Sequence, residues 1–187
     1  MSATPTLEVL LAESAIRRTL LQYARGIDRK DRALVEACYW PEAQDWHGLF
    51  RGTRDEFLDW VMPLLDRQSM TMHHLANVMV DVDEGGGTAG AETYGVAYHA
   101  GGTPGDIRWN YAAGFRYVDR FERRGTEWRI ADRITVIEWV TPWDAHHDRH
   151  EVFGRLARRG DGADPVYDSG DGLRARAASD AHHGEVG

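Results

Sequence analysis

The chain has 187 residues, 42% of them hydrophobic and 28% charged, with a formal net charge of −8. That composition reads as one soluble globular domain with a tail, and the acidic balance argues against nucleic acid, whose phosphates need a basic face. No run approaches ~18 apolar residues, so no membrane-spanning helix is expected.

The opening residues do not read as a secretory leader. Cys38 is the only cysteine, which rules out an internal disulfide or a cysteine-built zinc site and suits a reducing cytoplasm.

Thr4-Pro5 offers a capping hydroxyl and a proline for a first helix. Its apolar stripe runs through Leu7, Leu10, Leu11, Ala15, Ile16, Leu20, Tyr23, Ala24 and Ile27, and it should finish near Asp28. Asp31 then caps a short helix carrying Leu34, Val35 and Cys38, stopped by Trp40-Pro41. Residues 44–51 read as irregular or as a short strand. Thr53-Arg54-Asp55-Glu56 is a capping box opening a third helix, with Phe57, Trp60, Val61, Leu64 and Leu65 facing inward.

From there strands take over, over residues 70–83, 88–100, 107–123 and 127–141, separated by glycine-bearing turns. Three helices followed by a meander predict an α+β fold, with the helices on one face of a curved antiparallel sheet and a cone-shaped cavity between them. The domain should cover residues 1–145. Residues 146–187 read as a flexible C-terminal extension, rich in Asp, Gly, Ala and Arg.

Two adjacent histidines, His73 and His74, head the first long strand. Side chains alternate along a strand, so the two rings face opposite sides. Simple parity groups Leu75, Asn77 and Met79 with His73, and Ala76, Val78, Val80 and Val82 with His74. The second group is the more apolar, so parity alone would bury His74. Asp28 is the other candidate, because a carboxylate at a helix C-terminus opposes the macrodipole at a cost of about 0.3–1 kcal/mol. Paired with a histidine, it would fix the tautomer and strengthen the base.

His146, His147 and His150, with Asp144 and Asp148, contain an i, i+4 pair able to hold a metal, but read better as a solvated cluster. No glycine loop follows a strand and opens a helix, and no Gly-x-Ser-x-Gly elbow is present, so neither a nucleotide nor a metal cofactor is expected.

Four segments, "YARGIDRKDRALVEACYWPEAQDWHGLFRGTRDEFLDWV", "TMHHLANVMVDVD", "AGAETYGVAYH" and "GFRYVDRFERRGTEWRIADRITVIEW", resemble the SnoaL-like branch of the nuclear-transport-factor-2-like superfamily over residues 7–141. Within it the likeness is to the group of scytalone dehydratase, hexachlorocyclohexane dehydrochlorinase and bile-acid 7α-dehydratase. The resemblance implies an α+β cone and a cofactor-independent lyase that eliminates HX with a His–Asp pair, carried onto His73 and Asp28.

It further implies substrate contacts at Tyr23, Tyr98 (or, shifted by the turn before it, Val96 or His99) and Arg133, with Trp46 as a pocket wall. His74 would point outward. The expected substrate is a hydrophobic ring compound of steroid, terpenoid, polyketide or xenobiotic type, and the expected assembly is a homo-oligomer, with a trimer favoured. The superfamily also holds isomerases, aldol-type polyketide cyclases and non-catalytic ligand-binding modules, which stand as the alternatives.

Overall fold

Thr6, two residues later than expected, opens helix α1 (Leu7–Arg29), its hydroxyl accepting the Val9 N–H at 3.3 Å. The buried stripe begins only at Ala12 and continues through Ile16, Leu20, Tyr23, Ala24 and Ile27, while Leu7, Leu10 and Leu11 remain exposed. These first turns have an apolar face but no core to receive it. The structure, a computed structural model, describes residues 4–83, 85–101 and 106–142, which fall in one unit, Met1–His146. The expected extension from residue 146, and with it His146, His147 and His150, lies outside the described residues.

Lys30 closes α1 in the left-handed region (φ 56°), and Asp31 caps α2 (Arg32–Ala37) by accepting the Leu34 N–H at 3.0 Å. Gly26 lets the two helices meet, because a Cβ there would lie 2.6 Å from Val35 Cγ2. Trp40-Pro41, expected only to stop α2, already belongs to strand β1 (Tyr39–His47). The stretch expected to be irregular is a hairpin of β1 with β2 (Phe50–Thr53), turning at Gly48 with φ 61°. The capping box of α3 (Arg54–Asp66) forms as read, with Glu56 Oε2 accepting the Thr53 N–H at 2.8 Å.

Strands β3 (Met70–Val82), β4 (Thr88–Ala100), β5 (Tyr111–Arg124) and β6 (Glu127–Pro142) form the expected meander. The sheet order is β2-β1-β6-β5-β4-β3. One pairing departs from the antiparallel expectation: β1 runs parallel to β6. Helix α3 carries the chain from β2 across to the far edge, so β1 ends beside the last strand and runs with it. The sheet is therefore mixed. Register shifts at Gly114/Phe115 and Arg120/Phe121, between β5 and β6, add bends to it.

A third register shift decides the question raised by the two histidines. Between Leu75 and Val78, β3 places Ala76 and Asn77 opposite the single residue Tyr94 of β4. Such a bulge reverses parity. His73 and Leu75 therefore share the helix-facing side with Val78, Val80 and Val82, all of them in or against the core, while Met79 is exposed. The valine stripe assigned by simple alternation to the His74 side, where it would have sought a neighbouring subunit, is covered by the chain's own helices.

Candidate active site

Asp28 sits one residue from the end of α1, and α1 packs on β3, which brings its carboxylate to His73. Both carboxylate oxygens are used. Oδ1 lies 2.7 Å from His73 Nδ1, and Oδ2 accepts the His73 backbone N–H at 2.9 Å. One short side chain thus fixes the strand and the ring together. Two hydrogen bonds to a charged acceptor, each worth about 1.5–3 kcal/mol, outweigh the cost of a carboxylate at a helix C-terminus. With Nδ1–H donated to the carboxylate, Nε2 carries the lone pair. The pair is largely buried, the His73 and Asp28 side chains being 9% and 12% exposed.

His73 opens onto a cavity of about 270 Å³ whose walls include Tyr23, His47, Trp60, Gln68, His99 and Tyr111. A larger hollow of about 670 Å³ lies by the N-terminal half of α1, against Val82, Arg123 and Trp128. It contains neither member of the pair; its Arg123 binds Glu8, and its Asp83 is taken up by the Gly87 and Thr88 N–H groups of the following turn. His73 lines the smaller cavity.

Residues 8–134 match the SnoaL-like domain. The chain belongs to the SnoaL-like family. Among curated proteins none matches it. Solved structures that share the fold include LinA, with 16% identity, a TM-score of 0.65 and coverage of 75% of this chain and 95% of that one. A protein from Novosphingobium aromaticivorans assigned to the scytalone dehydratases has 18% identity, a TM-score of 0.65 and coverage of 74% and 92%. The hexachlorocyclohexane dehydrochlorinase LinA-type3 from Novosphingobium barchaimii has 16% identity, a TM-score of 0.60 and coverage of 75% and 96%. At these identities the likeness is one of fold.

Around the SnoaL-like cavity the other expected contacts divide. Tyr23 lines it from α1, fully buried and edge-on to Tyr39 and Tyr117. Burial pushes its phenol well above the usual range, with the Arg133 charge pulling back only in part, so it stays a neutral hydrogen-bond donor. Arg133 is held beneath the cavity, with its side chain wholly buried. Its guanidinium meets Asp119 in two bonds of 2.7 Å and lies 4.2 Å and 3.9 Å from the Tyr23 and Tyr117 ring centres. It is a structural ion in the core rather than a substrate contact.

Tyr98 and Val96 point to the outer face of β4, where Tyr98 meets the exposed His74 at 5.9 Å between ring centres. His99 is the residue of that strand that faces the cavity. Trp46 is not a pocket wall either. It is 47% exposed on the outer side of β1, under the Arg51 guanidinium, because strand alternation gives the inner side to its neighbour His47.

Among the wall residues that had not been singled out for the site are His47, Gln68, Arg108, Trp109 and Tyr111. Gln68 is the most telling. Its Oε1 lies 2.7 Å from His99 Nδ1, and a carboxamide oxygen only accepts, so His99 carries its proton on Nδ1 and presents the Nε2 lone pair. Burial, followed by the charges of His73 and His47, holds its pKa down to about 3. His99 is a neutral acceptor throughout the physiological range.

This makes stability depend on pH. The unfolded His99 binds a proton below its ordinary value of 6.5 and the folded one does not until about 3. Its contribution is fully present above pH 6.5 and is lost as pH falls toward 3. At pH 5 the loss is about 2 kcal/mol. Urea titrations at pH 7 and pH 5 should show it, and His99→Gln should flatten the difference; an unchanged difference would remove His99 as its source.

Proposed function

We propose that this SnoaL-like chain is a cofactor-independent lyase, of dehydratase or dehydrohalogenase type, acting on a hydrophobic cyclic small molecule. The observation that carries the reading is the double grip of Asp28 on His73, which leaves one unprotonated nitrogen facing an aromatic-lined cavity. In this role His73 Nε2 removes a proton from a carbon acidified by a carbonyl or ring. The carbanion electrons form the new double bond, the leaving group departs from the neighbouring carbon, and Asp28 stabilises the imidazolium. Tyr23 donates a hydrogen bond to the substrate oxygen that gathers charge. The relatives named as dehydrochlorinases and as a scytalone dehydratase support the same class of chemistry.

The cavity also bears on size. Sites for drug-sized ligands occupy about 300–1,000 Å³, and a cavity of about 270 Å³ suits a one- or two-ring compound better than a four-ring steroid. The test is a mass-resolved screen of hydroxylated and halogenated bicyclic ketones. Loss of water or hydrogen halide is the expected result; products of unchanged mass would make the chain an isomerase or cyclase instead, and binding without turnover would make it a ligand-binding module.

A further inference from the structure

Across the cavity from His73 lies a second aspartate–histidine pair, Asp45 and His47, which alternate on the inner side of β1. Asp45 is completely buried. Its Oδ2 accepts the Tyr39 hydroxyl at 2.7 Å, while Oδ1 has no hydrogen-bond partner among the described residues and lies 3.6 Å from His47 Nδ1. The same nitrogen is 3.0 Å from the Thr135 hydroxyl oxygen. The His47 ring stacks on Phe57 at 5.5 Å and is a quarter exposed, toward the cavity.

A buried carboxylate with an unused oxygen is costly unless a positive charge or donor faces it. Protonated His47 answers that need. Its Nδ1–H can donate to Thr135 with the Asp45 charge behind it, and its Nε2–H is then the group offered to the cavity. The three cavity histidines are thus differently equipped. Asp28 sets His73 to present a lone pair, Gln68 sets His99 to do the same, and His47 is placed to present a proton.

We propose that His47 is the proton donor of this site and that Asp45 is its positioning residue. The step rests on the lyase reading above and completes its balance. His73 Nε2 gains the carbon-bound proton, the carbon–oxygen bond breaks, and the His47 Nε2–H proton goes to the departing oxygen, which leaves as water. His73 ends charged and His47 neutral, and exchange with solvent resets both. The ionisable groups around His47 are Asp45 on its own strand, Arg133 opposite Asp45 on β6, Tyr117 on β5, Tyr23 on α1, and His73, His99, Arg108 and Tyr111 on the other cavity walls; of these only Asp45 forms an ion pair with it among the described residues.

Two probes separate the donor from the base. Nitrobenzisoxazole needs only a base, because its phenolate leaves unaided, whereas a β-hydroxytetralone must shed hydroxide and needs an acid. His47→Gln is expected to lower turnover of the hydroxytetralone ~10²-fold, at least ten times more than that of nitrobenzisoxazole. In the unaltered protein the hydroxytetralone rate should fall at high pH while the nitrobenzisoxazole rate does not, and Asp45→Asn should lower hydroxytetralone turnover more than nitrobenzisoxazole turnover. Equal losses on both probes, or no alkaline limb, would overturn the assignment of His47 and leave His73 standing as base. Activity on both probes that survives His73→Ala would instead overturn the lyase reading itself.

Discussion

Asp28→Asn should lower kcat on nitrobenzisoxazole by ~10²-fold or more, and His73→Ala by about 10²–10⁴-fold, with far smaller changes in KM. The aspartate effect follows from counting donors and acceptors. The carboxylate offers an oxygen to the His73 main-chain N–H and another to Nδ1–H. A carboxamide has one oxygen and an NH₂, so it can serve only one of the two as acceptor and turns a donor toward the other. If the main chain keeps the oxygen, Nδ1 must accept and the proton moves to Nε2. That is the nitrogen which the proposed mechanism needs as base. Shape is preserved and chemistry is lost, and saturation kinetics on the folded variant would show it. A kcat within threefold of the original would mean that the pair serves the fold alone.

Asp119→Ala should cost about 3–5 kcal/mol of stability. Arg133 and Asp119 have no exposed side-chain surface and hold each other through two parallel bonds. Removing the acid leaves a guanidinium in the core with the Tyr23, Tyr39 and Tyr117 rings to meet it, and cation–π contact recovers about 2 kcal/mol at best. Replacing both partners at once, as Asp119→Leu with Arg133→Met, removes the ions together and should cost much less than either single change. Urea denaturation of the single and double variants reads the difference. A loss below about 1 kcal/mol in Asp119→Ala would show that the pair is not coupled as drawn.

How far the sequence alone reaches depends on whether the signal is local. The capping box at Thr53–Glu56, the Asp31 cap and the turn-separated strands of the meander depend on neighbours within a few positions, and they appear where the sequence puts them, except that the strand expected from residue 107 begins only at Tyr111, after a turn. The partnership of Asp28 and His73, 45 positions apart, was indicated by resemblance and not by spacing; the structure places the two in hydrogen-bond contact. Strand parity failed where one extra residue entered β3, because alternation cannot register a bulge. Arg133 failed for a different reason. An arginine on an inner strand position reads the same whether it meets a substrate or a buried aspartate, and Asp119 lies on another strand.

His47 is the instructive omission. Ala43, Asp45 and His47 alternate with Gln44 and Trp46, a period-2 pattern with the acid and the imidazole on one side. Reading those residues as a strand would have pointed to His47 and away from Trp46. The short Gly48 turn and the lack of an apolar run hid it.

The grip of Asp28 on the His73 main chain matters beyond the cavity. β3 is the last strand of the sheet and is thirteen residues long, with β4 on one side only. The unpaired donors along such a border are an invitation to any extended peptide or second chain, and proteins must guard them. The His73 N–H would be one of those donors, and Asp28 already occupies it. The carboxylate that aims the imidazole therefore also helps to keep the sheet from growing. A descendant that abandoned the dyad would have to find another guard for that border, a constraint on Asp28 from solubility as well as from chemistry.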